Sequence, residues 1–326
     1  MRQAYVCSWI LAIGLAVSSG CTQLIDVEGL QCNADVDCTS HMLGDKCVHN
    51  VCVTTPSGDA CSGASCADAV TEMPGCTADD QCTSAAAPRC MHGECVASTV
   101  AERFLCSPDE AGEASETSTE TVHYSFQVVE FISRKAPQNL VVTACRSNDV
   151  TCDDPSARFE DAAGTGLVEL DLPYGFMGYF EVKSDALPAL SYLTKPLKGD
   201  RVDRDLQVAS DATVQALASV AGIPYEPSKG IAMVEAFNCD ATPAGGVHFL
   251  ESKGSATPFY LVNHLPNSEV NLSVYDMNNN VADGGFLNVQ PGFVTFTARY
   301  GVDGPMLGEF NASVRASTVT FIDMYF

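Results

Sequence analysis

The side chains with the most chemistry to offer in this sequence are thiols. There are 16 cysteines, and a cysteine can hold zinc, act as a nucleophile, accept an acyl group or close a disulfide. Ten of them fall in two runs with related spacing and a pair between: Cys32-x5-Cys38-x8-Cys47-x4-Cys52-Val53, then Cys61-x4-Cys66, then Cys76-x5-Cys82-x7-Cys90-x4-Cys95-Val96. The two runs agree beyond cysteine. Ala34-Asp35 matches Ala78-Asp79, Cys38-Thr39-Ser40 matches Cys82-Thr83-Ser84, and His49 matches His92. Likeness at this detail marks a duplication. Zinc sites favour closely spaced Cys pairs at matched intervals, and no Cys-x2-Cys occurs here, so disulfides are the expected chemistry. Each run is expected to close two bridges, although four cysteines can pair in more than one way. Cys61 and Cys66 read as a small closed loop. Cys145 and Cys152 bracket a loop short enough for a local bridge, which leaves Cys106 and Cys239 as a long-range pair. Alternatively, one of those two pairs with Cys61 or Cys66.

The N-terminus supplies the compartment that such bridges need. Arg2 precedes an apolar run from Tyr5 to Val17, followed by Ser18-Ser19-Gly20-Cys21. A basic start, a short apolar core and small residues make a secretory signal, too short to span a bilayer as a helix. The small residues before Cys21 resemble the lipobox of bacterial lipoproteins, although that family usually has Leu where Ser18 stands. Ser18-x-Gly20 also suits ordinary signal peptidase. The resemblance implies an acylated Cys21 at the mature N-terminus, an exported protein at the outer membrane or cell surface, and a membrane partner reached through the lipid. With Cys7 lost in the signal and Cys21 acylated, an even number of cysteines remains to pair. The net charge of −24 repels phosphate backbones, so nucleic acid is not an expected partner.

Catalytic motifs are missing. The sequence holds no Gly-x-Ser-x-Gly, no His-Glu-x2-His and no phosphate-cradling glycine loop, and His123, His248 and His264 stand alone. An enzyme would require a cleft with convergent, perturbed acids. Asp276-x-Asn278-x-Asn280-x2-Asp283-Gly284 alternates oxygen ligands as calcium loops do. It lacks the central Gly and distal Glu of the helix–loop–helix site, and turn chemistry alone explains these residues. No metal or other cofactor is expected. Sugar platforms exploit aromatic faces, but the one Trp, Trp9, belongs to the signal; Tyr174, Tyr179, Tyr192, Tyr260 and Tyr300 remain.

The elements that must position these residues change along the chain. From Cys32 to Cys95 there is no Phe, Tyr or Trp, so cross-links rather than a core must hold that region. Residues 107–121, rich in Ser, Thr and Glu, read as a linker that keeps the cysteine-rich part away from the C-terminal residues. Short apolar strands are expected at 123–132, 139–145, 166–172 and 178–182. After a break, more are expected at 231–237, 246–251, 259–263, 269–275, 285–289, 293–300 and 318–326. A helix at about 212–220 has Asp211 to cap it and Gly222 to end it.

The expected fold is mainly β: a disulfide-rich N-terminal region followed by two antiparallel β-sandwich domains with one connecting helix. The segments are a signal (1–20), the duplicated cysteine-rich region (21–106), the linker (107–121), a first sandwich (122–210), a helix and connector (211–227) and a second sandwich (228–326). Residues beyond about 120 are expected to fold without the cysteine-rich part.

Three further resemblances bear on these parts. The cysteine runs are similar to short modules of bacterial surface lipoproteins, and loosely to the colipase and Dickkopf type of cysteine-rich fold. Gly166-Leu167-Val168-Glu169-Leu170-Asp171-Leu172-Pro173-Tyr174-Gly175-Phe176 is echoed by Gly285-Phe286-Leu287-Asn288-Val289-Gln290-Pro291-Gly292-Phe293. With Pro243-Ala244-Gly245-Gly246-Val247, this echo resembles the carboxypeptidase-regulatory-like, or transthyretin-like, sandwich. In that family the segment gives a strand, a tight turn and the returning strand. These features together point to a non-catalytic surface lipoprotein presenting interaction modules to a protein or polysaccharide partner. A carbohydrate-binding protein is the alternative.

Overall fold

The computed structural model describes residues 76–106, 120–276 and 282–326, and the backbone of two short strands before them. Those strands, β1 (Lys46–Val48) and β2 (Val51–Val53), form an antiparallel hairpin. The same hairpin recurs in the second cysteine run as β3 (Arg89–Met91) and β4 (Glu94–Val96). His92 and Gly93 connect β3 to β4 with φ of 48° and 85°, the left-handed pair that a two-residue hairpin turn requires. His92 is therefore a turn residue, and His49, its counterpart in the sequence, lies outside the described residues. Asp79 explains the other repeated letters: its carboxylate accepts from the Cys90 amide at 2.8 Å and pairs with Arg89 at 2.8 Å. Helix α1 (Ser98–Phe104) comes next, a helix not expected from the sequence.

The remaining strands are β5 (Thr121–Glu130), β6 (Val141–Arg146), β7 (Ala157–Glu160), β8 (Leu167–Pro173), β9 (Gly178–Lys183), β10 (Ala189–Tyr192), β11 (Arg201–Val202) and β12 (Leu206–Val208). Helix α2 (Asp211–Val220) separates them from β13 (Gly230–Phe237), β14 (Val247–Glu251), β15 (Thr257–Val262), β16 (Leu265–Asn267), β17 (Asp283–Val289), β18 (Gly292–Tyr300), β19 (Met306–Val314) and β20 (Val319–Tyr325). Ser210 caps α2 by accepting from the Thr213 amide at 3.1 Å; Asp211, expected in that role, is the first helical residue. Gly222, with φ of 70°, lies just past the helix end. The expected strand at 269–275 does not form.

The fold is mainly β and layered, and most of its strand pairs are antiparallel. Both halves of the strand-rich part share one nine-stranded sheet, ordered β16-β15-β17-β13-β20-β10-β9-β6-β7. The C-terminal strand β20 joins them, lying parallel to β10 on one side and to β13 on the other. Its residues are apolar on both faces apart from Thr320 and Asp323, which suits a strand covered on both sides.

Alternation along the strands divides the core between the two faces of this sheet. On one face Tyr179, Tyr192, Ala232, Val234 and Ile322 pack with the three-stranded sheet β14-β18-β19. On the other face Val142, Phe180, Val182 and Ala189 pack against β5 and β8, while Ile231, Leu287 and Val319 pack against α2. The repeated Pro-Gly motif carries the chain between layers. Strands β8 and β9 belong to different sheets, as do β17 and β18, so in both copies the turn changes sheet rather than closing a hairpin.

The second cysteine run is not held apart from the β-layers, contrary to the spacer expected from composition. Met91, Val96, Ala101 and Phe104 are buried in the same cluster as Phe296 and Met324. Phe104 meets the rings of Tyr300 and Phe326 at 5.6 and 5.8 Å. A run with no aromatic residue of its own thus borrows the core of its neighbour. The linker reading at 107–119 lies outside the described residues.

Candidate functional site

The sheet register builds an ordered surface on the face of β13, β17 and β20 that α2 covers in part. Three successive rows run across these strands. Ile231 is paired with Val319 and Leu287, Met233 with Phe321 and Gly285, and Glu235 with Asp323 and Asp283. Two apolar rows therefore end in a row of three carboxyl groups. Gly285 is required in the middle row, because a Cβ there would lie 2.2 Å from the Ala232 carbonyl oxygen and 2.9 Å from the Phe259 ring.

Like charges directly opposite one another destabilise a sheet, and the segment between β11 and β12 supplies the remedy. Arg204 donates to Glu235 at 2.5 Å and to Asp323 at 2.8 Å, with its guanidinium 4.8 Å above the Phe237 ring. Burial works against its charge, but Asp323 and Glu235 outweigh burial and hold its proton more tightly than in free arginine. Glu235 is 4% exposed and also accepts from the Ala282 amide at 3.0 Å. Burial, reinforced by the Glu235 charge, pushes the Asp283 carboxyl well above its ordinary value. A side-chain hydrogen bond between Asp283 and Glu235 acts in the same direction. Burial also raises Asp323, against the pull of Arg204. Beside the row, Tyr124 donates to Asp203 at 2.5 Å and Arg201 pairs with Asp203 at 2.9 Å; burial and the Asp203 charge raise the Tyr124 phenol.

These groups line a cleft of about 440 Å3 bounded by β5, α2 and the sheet. Tyr124 and Phe126 contribute from β5, Val214 and Leu217 from α2, and Ile231, Phe259 and Leu287 from the sheet. Its size suits a small-molecule site. Sequence reasoning singled out only Asp283 among its acids, as part of a calcium-like turn, and missed the others. The available signal was a charged residue inside a near-continuous apolar strand: Glu235 within Ile-Ala-Met-Val-Glu-Ala-Phe, and Asp323 within Val-Thr-Phe-Ile-Asp-Met-Tyr.

The structure bonds Cys76 to Cys90, Cys82 to Cys95, Cys106 to Cys239 and Cys145 to Cys152. Cys21, Cys32, Cys38, Cys61 and Cys66 lie outside the described residues, as do the side chains of Cys47 and Cys52, whose backbones are register partners in the β1–β2 hairpin. Asn278 and Asn280 of the calcium-like loop are likewise outside. Its flanking Asp276 faces His264 at 3.4 Å, and its Asp283 belongs to the acid row. Among the described residues, the one group of three or more potential metal ligands close enough together is Cys76, Cys82 and Cys95, and their sulfurs are already in disulfides. His123, on β5, faces Asp171 at 3.2 Å, and His248 meets the Asn271 carbonyl oxygen at 2.7 Å. Tyr179, Tyr192 and Tyr260 are buried and offer no open ring face. No helix among the described residues is long and apolar enough to cross a membrane.

No protein-family model matches the chain, and neither does any curated protein sequence. Solved structures do match at low similarity. The TIE protein of Bacillus anthracis is 12% identical over 63% of this chain and 34% of its own, with a TM-score of 0.19. The shaft pilin SpaA of Lactobacillus rhamnosus GG is 9% identical over 62% of this chain and 97% of its own, with a TM-score of 0.20. GBS52, the minor pilin of Streptococcus agalactiae, is 11% identical over 63% and 94%, with a TM-score of 0.20. This chain thus spans about a third of the TIE protein and nearly the whole of each pilin.

Proposed function

We propose that this protein is a non-catalytic surface lipoprotein, anchored through an acylated Cys21, whose carboxypeptidase-regulatory-like sandwich layers present an interaction surface to a protein or polysaccharide partner. The observation that carries the reading is the state of the cysteines. All eight whose side chains are described are in disulfides, which requires an oxidising compartment. The secretory signal read at residues 1–20, just before Cys21, supplies the route there, and the acidity of the chain leaves the acyl group as the hold on the membrane. Intact cells producing the protein test this. Added protease should remove it from the cell exterior, and Cys21→Ser should release it from the membrane fraction. Protein that is protected, or that stays bound after the substitution, would refute the reading.

A carbohydrate-binding role is tested by retention on envelope polysaccharide. The acid row favours a further reading, an acid–base enzyme, because a carboxyl raised by burial, Asp283, lies beside a second acid, Glu235, and general acid catalysis uses such a raised carboxyl. Against it, Glu235 and Asp323 are both engaged by Arg204. Hydrolysis of envelope glycan that is lost in Glu235→Gln would favour the enzyme.

A further inference from the structure

We propose that the cleft over β13, β17 and β20 binds a small organic cation with an apolar tail, an alkyl- or arylalkylamine, its ammonium at the Glu235 row and its tail along the two apolar rows. The proposal goes beyond the surface-lipoprotein reading and stands or falls apart from where the protein is anchored.

The rows dictate the ligand. A hydrocarbon would fill the apolar part and make no use of the carboxyl row. An anion would face three carboxyl groups with Arg204 already committed to two of them. The other acids of the lining have their own cations: Asp203 pairs with Arg201 at 2.9 Å and Asp205 with Arg134 at 3.4 Å. Glu235 and Asp323 share the single guanidinium of Arg204, and an added cation is the group that the row of three acids can still accommodate. A bare metal ion does not fit, because these carboxylate oxygens are not gathered closely enough to hold one. An ammonium on a flexible tail needs no such convergence, and charge-assisted hydrogen bonds to carboxylates are the strong ones.

The test is calorimetry on the mature full chain at neutral pH with hexylamine, hexanoate and hexan-1-ol, three probes with one tail length. Hexylamine is expected to bind with one-to-one stoichiometry, at least about tenfold tighter than the other two, since a charged hydrogen bond is worth that much. Leu217→Trp, which fills the cleft from α2 without changing charge, and Glu235→Gln, which removes the acid at the centre of the row, should each weaken hexylamine by about tenfold or more. Methyl spectra of the unaltered protein keep the test independent of variant folding: hexylamine should shift Ile231, Leu287 and Val319. No hexylamine binding up to millimolar concentration, equal binding of hexanoate or hexanol, or shifts confined to other methyls would each overturn the proposal.

Discussion

Glu235 and Asp323 are direct partners in the parallel ladder between β13 and β20, two carboxylates side by side in the interior of a nine-stranded sheet. Asp283 completes the row from β17. The arrangement holds because Arg204 spans the first two acids and burial raises the third, Asp283, well above its ordinary value.

The row makes stability depend on pH with a definite sign. Burial first, and then the Glu235 charge, raise Asp283 above its ordinary value of 3.8; Glu235, Arg204 and Asp323 are the charged groups that face it. The folded state then holds a proton that the unfolded chain gives up, so stability falls as pH rises from 3.8 through the raised value. Asp283→Asn removes this dependence. Thermal unfolding of the variant is expected to exceed the parent at neutral pH, by a margin that shrinks as pH approaches the ordinary carboxyl value. A margin constant across pH would contradict the raised Asp283 carboxyl.

Removing the guanidinium leaves two facing carboxylates uncompensated. Arg204→Ala should cost about 2 kcal/mol by denaturant unfolding, less than a fully buried pair because Arg204 remains partly exposed. Adding Glu235→Gln should restore part of the loss. Equal destabilisation with and without Glu235→Gln would show that Arg204 acts through packing on Phe237 instead.

Docking of the second cysteine run has its own signature. Arg103 donates to Asn238 at 3.1 Å and to Tyr300 at 3.2 Å, the Cys239 amide donates to the Arg103 carbonyl at 2.8 Å, and Cys106 is bonded to Cys239. Phe104→Ala should cost about 3–5 kcal/mol. A chain trimmed to residues 120–326 should unfold at lower temperature than the full protein, because Phe104 and Met91 leave the shared core. An unchanged melting temperature would mean that the run is a detached spacer after all.

The duplication carries a prediction for residues outside the described part. The second run bonds its first cysteine to its third and its second to its fourth. Asp35 and Lys46 stand where Asp79 and Arg89 support the third cysteine. Non-reducing peptide maps should therefore find Cys32 bonded to Cys47 and Cys38 to Cys52. Any other pairing, or a bridge between the two runs, would break the equivalence.

Local features of this fold were legible in the sequence, and non-local ones were not. Alternation exposed most of the strands, the α2 pattern of Val214, Leu217 and Ala218 was readable, and Gly222 marked the helix end. The short strands β7 and β10 lacked signal, and β19 went unnoticed because Gly308, Glu309 and Asn311 interrupt its apolar positions. The insertion of β20 between β10 and β13 joins segments far apart in sequence, which no local periodicity records. The acid row arises from that insertion, since Asp323 meets Glu235 only once β20 is placed. Phe104 is the one aromatic residue between the signal and residue 120, and its burial in the shared core became apparent only from the packing.

The central claim is anchorage through Cys21, and the most direct measurement is the intact mass of the mature protein recovered from the membrane fraction of producing cells. The account predicts a chain that begins at Cys21 and carries acyl groups, with a mass that falls by those groups after ester hydrolysis. A mature chain with an unmodified Cys21 thiol, or one that begins at any other residue, would contradict it.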